Sequence, residues 1–344
     1  MLTKIGIDLG YANITLSNVV ADIYREPSVI LMDKDTRRIL SIGAKAALGE
    51  DETEKGILVR PFKNGMLYSS DLTKEILENI IKAVKPADKI RCIIGVPSDI
   101  LAKQEKEIFS MLEKAGVTET MSINRSIAAL MGAGYAPTIS AVSVNVGASA
   151  TEIAVIHKGN IVFTARETIG GEDFDRAVKE HILEQGEMNV SLLVARTIKE
   201  RLGAVWQGRP DESIDIDGTL SLTGSKIRMS ISTEDVVGVF EKPLQKLLFA
   251  VAGAVKKIPL DLVKDIFENG IILTGGAAEL YGLDIMMEKI LGVSVTKPTS
   301  SIDAVAKGLS RAHAFIPDRH HLSGKNITDK LAKLYTNKKF NNKK

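Results

Sequence analysis

The stretch Ile5-Gly-Ile-Asp8-Leu-Gly10-Tyr-Ala-Asn13-Ile-Thr-Leu-Ser17 decides the fold, because the chain uses the same design a second time. An apolar run ends near an acidic residue, turns at Gly10 and returns as an alternating strand. Ala141-Val-Ser-Val-Asn145-Val-Gly147-Ala-Ser149-Ala-Thr151-Glu-Ile-Ala-Val-Ile156 is similar, and His157-Lys-Gly-Asn160 then reads as a tight turn into a partner strand. The two segments start near residues 5 and 142, so the chain reads as two halves that open alike.

Working outward, apolar residues at helical spacing predict helices over Thr73 to Lys85, Ala102 to Ala115, Phe174 to Glu184 and Leu192 to Leu202. Lys89-Ile-Arg-Cys-Ile-Ile-Gly-Val-Pro97 and Gly270-Ile-Ile-Leu-Thr274 are near-continuous apolar runs, as expected of strands covered on both faces. Ser213 to Leu222 alternates around a turn at Gly218, which predicts a small exposed sheet. Ser232, with Asp235 three residues on, predicts a helix start, followed by a long helix to about Lys257 that Pro243 interrupts. From about Lys325 the chain is rich in Lys and Asn; one short helix, Thr328 to Leu334, is expected in an otherwise mobile tail.

Composition narrows the class. Of 344 residues, 44% are hydrophobic and 26% charged, values of a globular protein. Lys and Arg total 45 against 43 Asp and Glu, a net charge of +2, so no global basic field points to nucleic acid. The lone Cys92 excludes an internal disulfide framework and a Cys-rich zinc site, and it fits a reducing cytosol. No apolar run approaches the roughly 20 residues that span a bilayer. The opening Met1-Leu2-Thr3-Lys4 enters a strand directly, so no signal peptide is expected. The reading is a cytoplasmic α/β protein.

Three turns share one physical plan: a buried strand ends in a loop of small residues whose amides face outward. They are Asp8-Leu-Gly10-Tyr11-Ala12-Asn13, Asn145-Val-Gly147-Ala148-Ser149-Ala, and Leu273-Thr-Gly275-Gly276-Ala277-Ala278. Without a Cβ at Gly10 or Gly147 a phosphate can approach the amides, and a carboxylate at the strand end can hold a hydrated Mg²⁺ beside it. Other nucleotide and hydrolase motifs fail: Gly224-Ser-Lys226 lacks the P-loop spacing, Gly132-Ala-Gly134 stops short of a dinucleotide fingerprint, and Gly147-Ala-Ser149 has Thr151 where a nucleophile elbow needs Gly. The pair His320-His321 has no Cys or carboxylate cluster in the nearby sequence, and reads as surface histidine.

On these residues the chain resembles the actin and Hsp70 ATPase superfamily, within it the bacterial actins of the MreB and MamK group, over roughly residues 3 to 315. Gly6-Ile-Asp-Leu-Gly10 resembles the first phosphate loop, Val144-Asn-Val-Gly147 the second, and Leu273-Thr-Gly-Gly276 the adenosine motif. Glu26-Pro-Ser28, Arg60-Pro-Phe-Lys-Asn-Gly65, Gly95-Val-Pro-Ser98 and Ile169-Gly170-Gly171-Glu-Asp-Phe-Asp175 are similar to further family segments. The resemblance implies a two-lobed α/β fold, each lobe a mixed sheet flanked by helices plus a small subdomain. Lobe I is expected over 1–140 with its subdomain at about 33–64, lobe II over 141–320 with its subdomain at about 176–254, and the tail over 321–344. It also implies ATP at the base of the cleft, Mg²⁺ placed by Asp8, and Arg196, Lys199 and Glu200 on one helix face beside ribose and adenine.

Two departures from the family pattern concern chemistry. Asn145 stands where the second phosphate loop usually begins with Asp, and an amide brings no charge to Mg²⁺. Arg125, with Asn124 before it, falls where the family's Glu positions the attacking water; a guanidinium is no base at neutral pH but can neutralise a phosphate. Nucleotide binding with slow hydrolysis is expected, and Tyr11, where Thr is usual, narrows the pocket. The resemblance implies head-to-tail filaments. Gly186-Glu-Met-Asn-Val190 is similar to the MamK branch, so the first expectation is a scaffold for organelles of the magnetosome kind, with an adaptor or an organelle-surface protein as a further partner. An MreB-like cell-shape actin, a plasmid-segregating actin, and a small-molecule kinase or chaperone ATPase of the superfamily stay open. No direct nucleic-acid partner and no membrane insertion are expected, and Lys338 to Lys344 leaves a peripheral contact with anionic lipid open.

Overall fold

Two sheets are built on one plan. In the computed structural model, which describes residues 2–18, 23–48, 56–63, 66–84, 89–317 and 322–341, the first sheet holds β1 (Leu2–Leu9), β2 (Asn13–Asn18), β3 (Ile23–Pro27), β4 (Lys89–Val96) and β5 (Glu119–Asn124). The second holds β6 (Ala141–Val146), β7 (Thr151–His157), β8 (Asn160–Glu167), β9 (Ile271–Thr274) and β10 (Val295–Thr296). The spatial orders are β5-β4-β1-β2-β3 and β10-β9-β6-β7-β8. In each, an antiparallel meander of three strands is extended by parallel pairing on the side of its first strand. The register repeats as well: Asp8 faces Thr15 and Asn145 faces Glu152, seven residues on in both halves.

Helices cover the faces that apolar alternation leaves bare. Helices α1 (Ser70–Ala83) and α2 (Ala102–Lys114) contribute Ile76, Ile80 and Leu112 to a core with Ile5, Ile7 and Ile94 of the first sheet. Between the two sheets lie α3 (Arg125–Gly132) and, late in the chain, α8 (Ala304–Ala312), while α4 (Gly171–Gly186), α5 (Leu192–Leu202), α6 (Glu241–Val255) and α7 (Leu283–Leu291) pack with the second sheet. Helices α3 and α8 share a middle core with Ile93 and Ile123 of the first sheet and with Ala154 and Ile272 of the second. They cross at contact distance: a Cβ on Gly308 would stand 1.7 Å from the Ala128 carbonyl oxygen, and one on Gly132 1.7 Å from that of Ala304. Each sheet thus reaches the other through two helices whose backbones touch. The fold is two-lobed and α/β, with a cleft where the lobes meet.

Three local expectations are corrected. Gly218 makes no turn; it lies inside the strand Ser213–Leu220, which pairs with Lys226–Ser232 in a small three-stranded sheet. The side chain of Met188 occupies the space that a Cβ would fill there. Pro243 does not interrupt a helix, because α6 begins at Glu241 and places the proline in its first turn, where a missing N–H costs little. The chain breaks earlier, at Gly238 with φ +79°, after a short 3₁₀ turn over Glu234–Val236. The tail carries more regular structure than expected: β11 (Lys325–Asn326) pairs with β5, and α9 runs from Thr328 to Asn341, past the expected helix end at Leu334. Its few apolar side chains, Leu322, Ile327 and Leu331, are spaced to bury together in the middle core. Asn64, Gly65, His320, His321 and residues 342–344 lie outside the described residues.

Candidate functional site

A cavity of about 360 Å³ lies in the cleft, and all three small-residue turns line it. The first turn needs glycine because a Cβ on Gly10 would sit 2.3 Å from the Asn13 carbonyl oxygen. The second is tied at both ends. Gly147 N–H donates to the Ala150 carbonyl at 3.0 Å, and Gly171 and Glu172 N–H donate to the carbonyls of Gly147 and Ala148 at 2.9 and 2.8 Å. The start of α4 therefore braces this loop. Gly170 stands behind it, outside the cavity lining; its N–H donates to Asp173 Oδ2 at 2.8 Å. The third turn presses on the second: Gly275 has φ +96°, and a Cβ there would meet the Val146 carbonyl oxygen at 2.3 Å.

The floor of the cavity is an ion-pair triad. Arg125, at the start of α3 and 7% exposed, donates from Nη1 to Glu152 Oε1 at 2.9 Å and from Nη2 to the Leu9 carbonyl at 3.1 Å. Its Nε lies 3.1 Å from Asp8 Oδ1, a charge contact in which neither atom has an aligned hydrogen bond. Burial opposes the Arg125 charge, yet Glu152 and then Asp8 outweigh it and hold the guanidinium above its usual range. Burial also pushes the Asp8 carboxyl upward, with Arg125 opposing the rise and Glu152 adding to it. Asn145, at the place in β6 that Asp8 takes in β1, lines the cavity without charge. Asn124 is turned away from the cavity. It caps α3, accepting from Ser126 and Ile127 N–H, and donates from Nδ2 to Ser98 Oγ at 2.8 Å.

These residues fit a resident Mg²⁺ poorly. Asp8, expected to place the ion, faces a guanidinium, and its counterpart Asn145 is neutral. Two like unit charges about 4 Å apart repel by on the order of 4 kcal/mol at a surface-like dielectric, and a dication doubles that.

The remaining expected residues gather around the same cavity. Tyr11, Ala12 and Asn13 line one side, and Ala148, Ser149, Gly276 and Ala277 the other. Arg60 stacks over the Tyr11 ring, 5.0 Å from its centroid, and burial together with Glu172 pushes the Tyr11 hydroxyl upward. On α5, Arg196 pairs with Glu200 at 2.8 Å, whereas Lys199 turns inward to Asp175 at 2.6 Å and the Gly171 carbonyl at 3.2 Å. The sequence reading missed Glu152, Glu172, Asp175, Arg25, Arg60 and Arg176 as lining residues. For Glu152 the signal was present: a lone carboxylate in the apolar run Thr151 to Ile156 of a buried strand.

The order of these motifs and the duplicated sheets match a known family. The model for the MreB/Mbl protein family matches residues 2–320. This chain belongs to the MreB/Mbl family. It is 28% identical over 312 residues to the cell shape-determining protein Mbl of Bacillus cereus, covering 88% of this chain and 93% of that one. It is also 28% identical over 333 residues to the cell shape-determining protein MreB of Escherichia coli strain K12, covering 92% and 94%. MreB5 of Spiroplasma citri bound to AMPPNP superposes with a TM-score of 0.83 at 21% identity, over 90% of this chain and 95% of that one. A subunit of the MamK double helical filament does so at 0.77 and 18%, over 92% and 100%. The actin-like fold of the MreB and MamK group is therefore established, and the chain is an actin-like cytoskeletal protein of the MreB/Mbl type. The expected leaning toward the magnetosome branch gives way to the MreB/Mbl reading, since the family model and the named relatives lie on that side. Among the described residues no helix is long and apolar enough to cross a membrane.

Proposed function

We propose that this protein is a filament-forming, cell-shape actin that binds ATP between its lobes and turns it over slowly. One observation carries the reading: the turns at Gly10 and Gly147, from duplicated hairpins of opposite lobes, line a single cavity that the Gly275-Gly276 turn also reaches. Six cationic side chains and five carboxylates share that lining, a balance suited to a polyanion. Support comes from the S. citri MreB5 structures, bound to AMPPNP and to ADP, and from the filament form of MamK.

In this reading the two glycine turns present backbone amides to the phosphates, and Arg196, Lys199 and Glu200 border the sugar and base. Closing the cleft fixes the relative pose of the lobes, and a head-to-tail contact that depends on that pose builds an open filament. Hydrolysis needs a group that accepts a proton from water. Arg125 cannot do so, Asn145 is neutral, and Glu152 is held in an ion pair, so turnover is slow and filaments persist. Light scattering and negative-stain electron microscopy test the reading: filaments are expected with ATP, phosphate release is expected to lag far behind assembly, and monomer at every concentration with ATP present refutes it.

A further inference from the structure

We propose that Arg125 stands in for the divalent cation, so that the cleft binds a nucleoside triphosphate without a metal ion. This inference rests on the nucleotide reading above and deepens it. The two duplicated strand ends supply one carboxylate, Asp8, and one amide, Asn145, where a metal site would draw charge from both. The space beside Asp8 is filled by a buried guanidinium mounted on a rigid element, since Asn124 caps α3 and β5 leads straight into it.

The three contacts of Arg125 differ in strength. Its bonds to Glu152 and to the Leu9 carbonyl are aligned, whereas Nε and Asp8 Oδ1, 3.1 Å apart, are poorly aligned. A phosphate oxygen can replace that third contact while the other two keep the guanidinium in place. The Asp8–Arg125–Glu152 cluster carries one net negative charge, and the wider lining adds Arg25, Arg60, Arg176, Arg196 and Lys199. The positive charge that a metal would bring to a triphosphate is thus already covalently present. A dication would have to displace Arg125 from Asp8 and leave a buried cation facing it.

Calorimetric titration of the full chain with ATP decides the matter, in Mg²⁺ buffer and in buffer with a chelator. The wild-type dissociation constant is expected to differ by less than about threefold between the two. Arg125→Lys should keep that independence. Arg125→Glu combined with Asn145→Asp restores an acidic set and should bind at least about tenfold more weakly in chelator than in Mg²⁺, with circular dichroism confirming that it is folded. Wild-type binding that weakens about tenfold or more when Mg²⁺ is removed overturns the proposal and leaves the nucleotide reading standing. Absence of binding in both buffers overturns the nucleotide reading itself.

Discussion

Arg125 Nη1 donates to Glu152 Oε1 at 2.9 Å, joining the start of α3 in one lobe to β7 in the other. Both side chains are buried, so neither charge has water to fall back on. Removing one partner of such a pair costs about 3–5 kcal/mol, because the other is left uncompensated. Arg125→Ala is expected to lose that much stability in urea unfolding, and Glu152→Gln less, since Asp8 still faces the guanidinium. The double variant should lose clearly less than the sum of the singles. Additivity to within about 0.5 kcal/mol would show that the pair does not couple the lobes.

The crossing of α3 and α8 sets a second expectation. At Gly308 an added methyl would lie 1.7 Å from the Ala128 carbonyl oxygen, and backbone there cannot yield without separating the helices. Gly308→Ala should therefore destabilise by about 1–3 kcal/mol, as overpacking of a close-packed interior does. Gly253 is the matched control, because it also lies in a helix, α6, but a Cβ there meets nothing within 4 Å. Gly253→Ala should stabilise by about 0.4–1 kcal/mol through the unfolded chain. Stabilisation by a similar amount at both sites would refute the close crossing.

The duplication was legible because buried strands ending in small-residue turns leave a periodic trace, and Asp8-Leu-Gly10 and Asn145-Val-Gly147 carry it at matched places. Helix α5 ends where its apolar spacing ends, at Leu202. Gly218 misled because glycine in an alternating run signals either a turn or a close approach, and here the close approach is to Met188, thirty residues earlier. Arg25 was illegible as a site residue for a related reason. Its place depends on the meeting of distant elements, since it pairs with Asp303 across 278 positions of chain. Arg125 was visible as a misplaced charge, but its partners were not, since one of them comes from the other lobe.

Cys92 offers a simple check of the first-lobe core. It lies fully buried in β4 among Ile5, Ile7 and Ile94, and burial pushes its thiol well above the usual range. With no thiolate and no access, it should fail to react with Ellman's reagent in the native protein, at pH 7 and still at pH 9. One thiol per chain should appear on denaturation, in keeping with the single cysteine of the sequence. Native reaction that grows with pH would place Cys92 near solvent and would break the assignment of β4 as a central strand.

Asp235 gives the pH dependence a defined sign. Its Oδ2 accepts from Ser232 N–H and Oγ–H, both at 2.7 Å, and these bonds, the backbone one first, hold its carboxyl below the usual range. A carboxyl with a depressed folded pKa adds stability that is fully present above the unfolded value, about 3.9, and is lost as pH falls through the folded value. Asp235→Asn keeps an acceptor and removes the charge. The wild type should therefore exceed the variant by a few tenths of a kcal/mol at neutral pH, small because the site is exposed and screened. That margin should shrink through the region below about pH 4 and vanish once both carry a neutral side chain. Unfolding midpoints at a series of pH values measure it, and a margin that grew on acidification would reverse the sign of the argument and show that the charge at Asp235 opposes folding.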